Sequence, residues 1–208
     1  MSLLIGQTAP DFPAETTQGP IKFHDWIDGR WVFFFSHPAD FTPVCTTEMG
    51  RTAQLGAEFS ARNVAPLGLS TDTVEEHMKW IADVDDTQNT TLRFPIVADP
   101  DLVISRLYEM LHPEESETAA VRSVFIIDPK AKIRLMMTYP MSVGRNFDEI
   151  LRVIDALQTC DANKIATPAD WRPGDEVIIP PSVSDAAAAD LFPQGWTTHR
   201  PYLRTVKL

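Results

Sequence analysis

Cys45 stands in the run Ser36-His37-Pro38-Ala39-Asp40-Phe41-Thr42-Pro43-Val44-Cys45-Thr46-Thr47-Glu48, and that setting gives a thiol chemistry to do. Thr42-Pro43 is the pattern of a helix start, a capping residue followed by proline at the first helical position. Cys45 then falls in the first turn, where unpaired backbone amides and the positive end of the helix dipole favour a thiolate over a thiol. A thiolate is a nucleophile; a cysteine among hydrocarbon is only a small hydrophobe. The polar, proline-bracketed run favours the nucleophile. Thr42, three positions earlier, either accepts from the helix amides as a cap or donates its hydroxyl toward a bound oxygen, and the sequence leaves both open.

No lysine or arginine lies close before Cys45, so a cation for the sulfur has to come from elsewhere in the fold. Arg122 is the first candidate, at the head of the apolar run Val121-Arg122-Ser123-Val124-Phe125-Ile126-Ile127. A guanidinium there is costly unless it meets an anion or many acceptors; the alternative is an edge arginine snorkelling to water. Arg145, in Gly144-Arg145-Asn146, is a second and weaker cation. The other cysteine, Cys160, forms no Cys-x-x-Cys pair with Cys45, and two thiols make no disulfide scaffold. It reads as a structural thiol rather than a resolving one. The five histidines, at 24, 37, 77, 112 and 199, are scattered without ligand spacing, so no metal and no cofactor are expected.

Positioning these groups takes a core, and the chain has the material for one. It is 208 residues long, 44% hydrophobic and 9% aromatic, the composition of an ordinary globular protein. A formal charge of -11 repels nucleic acid and anionic lipid, which leaves small molecules or proteins as partners. Met1–Pro10 has no basic stretch leading into a long apolar run, and no membrane is expected; the expected location is cytoplasmic.

Strand-like runs at Trp31–Ser36, Ala65–Ser70, Phe94–Ala98, Val121–Asp128 and Ile133–Tyr139 alternate with helix-like stretches at Cys45–Arg62, Val74–Val84, Leu102–Met110 and Phe147–Leu157. Thr73 with Glu76 makes a capping box for the second of these helices. The alternation predicts an α/β mixed sheet flanked by helices. The short link between the last two strands predicts an antiparallel hairpin. After Cys160 the character changes: prolines at 168, 173, 180, 181, 193 and 201 break a still apolar segment. The expected division is a main domain over 1–160 and an extension over 161–208. The extension is too proline-broken to join the sheet and packs on the main domain or on a neighbouring subunit.

At this point the residues resemble a known family. Pro38-x-x-Phe41-Thr42-Pro43-Val44-Cys45-Thr46-Thr47-Glu48 is similar to the active-site signature of the peroxiredoxins, thiol peroxidases of the thioredoxin fold. Ala9-Pro10-Asp11-Phe12 and Phe94-Pro95-Ile96-Val97-Ala98-Asp99 resemble two further family segments. His37, Gly144-Arg145-Asn146-Phe147-Asp148-Glu149 and Ala166-Thr167-Pro168-Ala169-Asp170-Trp171 resemble the one-cysteine subgroup, which carries such an extension. The resemblance implies that Cys45 attacks a peroxide and becomes a sulfenic acid, that Thr42 hydrogen-bonds the substrate, and that Arg122 stabilises the moving charge. Pro38 would shield the pocket, and His37, Glu48 and Arg145 would support it.

It implies as partners a peroxide substrate, an external thiol reductant (glutathione or the thioredoxin system) and a second copy of the chain, in a homodimer or a ring of dimers. Some relatives in the subgroup also carry a lipase serine. Arg30 occupies the equivalent stretch Asp28-Gly29-Arg30-Trp31-Val32, so that activity is not carried over, and His24 reads as a surface histidine. Two other readings compete: a non-catalytic holdase or peroxide-sensing signalling partner, and a thiol–disulfide oxidoreductase, which the missing second cysteine near Cys45 disfavours.

Overall fold

A computed structural model describes residues 3–208, and these form two compact units, one ending at Phe147 and one from Asp148 to Leu208. The first is built on β3 (Trp31–Ser36), whose six residues are all buried. Its run Trp-Val-Phe-Phe-Phe has no polar face because helices or aromatic layers cover both sides. Side chains alternate across it: Phe33 and Phe35 stack at 4.5 Å, with Phe59 against Phe33, on one face. Phe34 meets Phe12, Phe23, Tyr108 and Phe125 on the other. β4 (Val64–Ser70) lies parallel to β3, Trp31 opposite Val64 and Ser36 opposite Leu69, and β5 (Ile96–Ala98) lies parallel beyond it. On the other flank β6 (Arg122–Ile127) and β7 (Ile133–Tyr139) run antiparallel as the expected hairpin. The sheet order β5-β4-β3-β6-β7 is thus mixed. A two-stranded ribbon, β1 (Pro13–Ala14) with β2 (Ile21–Lys22), and α1 (Phe23–Ile27) precede it.

The helix expected over Cys45–Arg62 starts earlier and is broken. α2 spans Pro43–Gln54 and α3 spans Gly56–Ala61; the interruption at Leu55 precedes Gly56, the poorest helix former after proline. α4 (Val74–Gln88) carries the expected Thr73–Glu76 capping box and runs four residues past Val84, to an Asn89 cap in the left-handed region. α5 covers only Val103–Leu107, and Asp99 accepts from the amides of Ile104 and Ser105 at its start.

In the second unit α6 runs Phe147–Asn163, six residues beyond its expected end. It supplies Ala156 and the partly buried Cys160 to a core of Ile165, Trp171, Val177, Ile179, Ala188, Phe192 and Val206. That contribution is why the compact units divide at Phe147 and the change of sequence character comes at Cys160. The segment 161–208 stays out of the main sheet but has regular structure of its own. β8 (Val177–Ile179), β9 (Thr197–Arg200) and β10 (Leu203–Val206) form an antiparallel sheet of their own in the order β8-β10-β9, with α7 (Asp185–Leu191). Pro180, Pro181, Pro193 and Pro201 fall between these elements, where a missing amide costs nothing. Strands of three or four residues are too short to announce themselves by alternation.

Candidate active site

The site lies in the first unit, beyond the end of β3 and around the first turn of α2. Thr42 is the N-cap residue by position, yet its side chain makes no capping bond. Its hydroxyl donates instead to the carbonyl of Ala39 at 2.9 Å. This commits the proton, so the hydroxyl shows neither of the two uses the sequence left open, capping the helix or donating to a bound oxygen, and its lone pairs remain able to accept. The turn before it is strained: Phe41 holds φ 54°, a left-handed conformation rare outside glycine, and is 55% exposed. Pro38, in the same loop, is buried.

Cys45 is fully buried, and its Sγ accepts from Arg122 Nη1 at 3.3 Å. Arg122 reaches it from the head of β6 and is fixed on every side. Its Nε and Nη2 both donate to the carbonyl of Met141, at 2.9 and 2.7 Å, and Nη1 also donates to Glu48 Oε2 at 2.8 Å. Glu48 follows Cys45 by three residues and so shares its helix face. Arg145 completes the cage. Its Nη2 donates to Glu48 Oε2 at 2.6 Å, its Nε and backbone amide to Oε1 at 2.9 and 2.8 Å, and its Nη1 to the carbonyls of Ser36 and Ser123. The guanidinium lies 4.9 Å from the Phe35 ring, a cation–π contact. Burial alone raises the Glu48 carboxyl, but Arg145 and then Arg122 outweigh it and hold the group below the ordinary carboxylate range.

A second buried cluster adjoins the loop, and only one of its members was singled out from the sequence. Asp40 accepts from His37 Nε2 at 2.9 Å on one carboxylate oxygen and meets His77 Nδ1 at 2.6 Å on the other. Its backbone amide donates to Asp72, which also accepts from the Ser70 hydroxyl. Burial pushes Asp40 up, but the two imidazoles overcome it and keep the carboxyl low. Burial drives the proton affinity of His37 down; Asp40 opposes this, while His77 and Arg145 add to it. Sequence reasoning missed Asp40 and His77. The available signal was a histidine in the buried stripe His77, Trp80, Val84 of α4, a position where an apolar side chain is the rule.

Among the described residues, His37, Asp40 and Asp72 form the group whose ligand atoms lie close enough to share an ion. Those atoms are engaged with one another and with Ser70. Both cysteines are free thiols. His24 is half-buried, its Nε2 2.8 Å from the carbonyl of Ala9. Arg30 donates to the carbonyls of Ile27 and Trp26 and stacks on Trp26, so this stretch presents no hydroxyl nucleophile.

Two family models match the chain: the AhpC/TSA family over residues 5–136 and the C-terminal domain of 1-Cys peroxiredoxin over residues 156–195. The chain belongs to the peroxiredoxin family. A relative from Saccharomyces cerevisiae named "Peroxiredoxin PRX1, mitochondrial" is 49% identical over 99% of this chain and 81% of its own length. One from Dictyostelium discoideum named 1-Cys peroxiredoxin is 46% identical over 97% and 84%. A solved structure of a yeast mitochondrial 1-Cys peroxiredoxin superposes with a TM-score of 0.94 at 47% identity, covering 99% of this chain and all of the other. The fold is therefore the thioredoxin-like mixed sheet expected. As a peroxiredoxin the chain is a thiol-dependent peroxidase that passes through a cysteine sulfenic acid and is recycled by an external thiol.

The cytoplasmic expectation is overturned. A relative this similar along nearly the whole chain carries a mitochondrial designation, so charge and apolar patterning, which fit either compartment, do not fix the location.

Proposed function

We propose that Cys45 is the nucleophile that reduces hydrogen peroxide and organic hydroperoxides, with Thr42 and Arg122 as its partners in the reaction. The observation that carries this reading is the guanidinium of Arg122 touching Sγ at 3.3 Å in a fully buried setting. The sulfur attacks the terminal oxygen of ROOH; an S–O bond forms as the O–O bond breaks. Sulfur loses two electrons to the peroxide, and the departing RO⁻ takes up a proton to leave as water or an alcohol. Thr42, with its own proton bound to Ala39, accepts the peroxide O–H and orients it for in-line attack. Arg122 stabilises charge as it passes from sulfur to the leaving oxygen. Arg122 and Arg145 bring two positive charges and Glu48 one negative, so the cage retains one positive charge beside the sulfur. Glu48 and Arg145 hold Arg122 in place, Pro38 shields the thiol from bulk water, and His37 supports the pocket from the adjoining cluster.

Glutathione or a thioredoxin-system thiol is the proposed reductant, since a similar yeast protein is described with both systems. Two thiols return the sulfenic acid to the thiol, releasing water and a disulfide. We place a homodimer contact on the extension 161–208, where Leu191 and Tyr202 stay 42% and 69% exposed.

Replacement of Cys45 by serine is expected to abolish peroxide consumption with either reductant, while Cys160→Ser leaves it intact. After one equivalent of peroxide, intact mass should show one added oxygen on the wild-type chain and none on Cys45→Ser. Turnover retained without the Cys45 sulfur would falsify the assignment.

A further inference from the structure

A cavity of about 610 Å³ opens at the end of the first unit's sheet opposite to Cys45. It is walled by the start of β4, the stretch before β5, Trp26 of α1 with Arg30 after it, and the junction of α2 and α3. β3 and β4 run parallel, with Trp31 opposite Val64 and Ser36 opposite Leu69. Val64 lines the cavity, whereas Cys45 lies beyond Ser36. The six residues of β3 therefore separate the two places, roughly 20 Å at 3.3 Å per residue.

The charge of the wall sets this cavity apart. The chain has 29 acidic side chains against 18 lysines and arginines, yet the cavity is lined by two arginines, Arg30 and Arg93, and by no acid. Six other arginines hold carboxylates; these two do not. Arg30 is half-buried and lies over the Trp26 ring at 4.8 Å. Its Nε and Nη2 donate to the carbonyls of Ile27 and Trp26, which fixes the guanidinium plane and leaves Nη1 to donate elsewhere. Arg93 is exposed, and among the described residues its side chain meets no carboxylate. The remaining wall is small or apolar: Ala53, Gly56 and Ala57 from the helices, Val64 and Phe94 from the strand side. A Cβ on Gly56 would meet no atom within 4 Å, so the space begins at the backbone itself.

We propose that this cavity binds a small organic anion, a carboxylate carried on an aromatic or short aliphatic body, at a site separate from that of the peroxide. A guanidinium held in a fixed plane suits a carboxylate, which accepts from its N–H groups along defined directions. The hydrocarbon wall takes the body of the ligand, and the volume falls within the range of about 300–1,000 Å³ usual for small-molecule sites. A bare inorganic anion would meet the cations but leave Val64 and Phe94 facing water.

Calorimetric titration of the full chain with 2-naphthoate tests this beside two controls. 2-Naphthamide keeps the rings without the charge, and inorganic phosphate keeps the charge without the rings. Naphthoate is expected to bind at one site per chain, the amide at least about tenfold more weakly, and phosphate not at all. Arg93→Gln and Arg30→Gln should each weaken naphthoate about tenfold. Gly56→Leu, which adds a side chain at the cavity wall, should weaken it as well. Arg93 is exposed, so its variant keeps the test clear of folding if Arg30→Gln lowers the unfolding midpoint. Cys45→Ser should bind naphthoate like wild type, and Arg93→Gln should consume peroxide like wild type, since the two sites are separate.

No saturable binding at millimolar naphthoate overturns the inference, as does an affinity that survives both arginine substitutions. Equal binding of naphthoate and naphthamide would mark a plain apolar cavity, and phosphate binding as tightly as naphthoate a bare-anion site; either result overturns it too. Loss of naphthoate binding in Cys45→Ser would place the ligand at the peroxide site instead.

Discussion

Of the three carboxylates buried in the first unit, Asp99 caps α5, while Glu48 at 3% exposure and Asp40 at 6% are each clamped between two nitrogen-bearing side chains. The clamps differ in kind. Glu48 sits between two guanidiniums that never release their protons, and four hydrogen bonds from Arg122 and Arg145 saturate it. Asp40 sits between two imidazole rings, whose nitrogens can donate or accept. The first arrangement is a permanent electrostatic frame around Cys45, indifferent to pH over the working range. The second is a hydrogen-bonded chain that ends at His37 Nδ1, a buried nitrogen without a partner. One loop and one helical turn therefore give the site both a fixed charge and a hydrogen-bonded chain, held by separate residues.

The separation is tested most severely by removing the frame. Glu48→Ala strands two buried guanidiniums, and loss of one partner from such a cluster costs about 3–5 kcal/mol. Chemical denaturation should show that loss, and Asp40→Asn, which keeps a hydrogen-bonding shape between the two rings, should cost clearly less. Equal costs would mean that the two clamps are not different in kind. Arg122→Ala comes next, since it removes the donor on the sulfur while leaving Arg145 on Glu48. Oxidation of Cys45 by peroxide should slow roughly 100- to 1000-fold, the usual effect of removing one aimed donor, as read by stopped flow.

Acid titration separates the clamps by pH. Each carboxylate is held below its ordinary value, so each adds stability that is present above that value and lost as pH falls through the lower folded one. His37 is also depressed, from 6.5. Below that pH the unfolded chain takes a proton that the folded chain refuses, so stability begins to fall there. The Asp40 side should thus weaken between pH 6.5 and 4.5, and Glu48 only below its ordinary 4.5. The unfolding free energy of His37→Gln should be flatter than wild type in the upper window, where one group changes it by at most about 1.4 kcal/mol per pH unit. An unchanged slope would remove His37 from the acid response.

How much of this was legible in the sequence follows the same divide. The frame was largely readable, because Arg122 in an apolar run and Cys45 after Thr-Pro violate ordinary patterning, and a violation points to a partner. The strands of the main sheet were readable for the related reason that β3, β6 and β7 are long and apolar enough to declare themselves. Asp40 and His77 were not readable. They lie 37 residues apart, and Asp40 in a turn or His77 in a helix stripe violates nothing until the fold brings them within 2.6 Å. The strands of the extension were not readable for another reason: they pack on a local core of Trp171, Ile179 and Val206, which no period within three residues can announce. Thr42 was placed correctly at the helix start, but the strained Phe41 turn redirects its hydroxyl to Ala39, a choice that lies in backbone angles rather than in residue types.

The smallest effect is the most telling about whether the clusters communicate. Trp80 stacks on His37 at 5.1 Å, and its Nε1 donates at 3.2 Å to Thr46 Oγ1, which in turn donates to the carbonyl of Thr42. The indole thus ties the Asp40 cluster to the first turn that holds Cys45. Trp80→Phe keeps an aromatic ring in the same place and deletes only that donor. Thr46 is half-buried, so water can replace part of the bond, and the stability cost should stay near 1 kcal/mol. If the two clusters act independently, combining Trp80→Phe with His77→Gln should add their effects on Cys45 oxidation within about 0.5 kcal/mol. A larger coupling would make the indole a conduit from the Asp40 cluster to the helix turn, and the frame around the sulfur would no longer be indifferent to its neighbour.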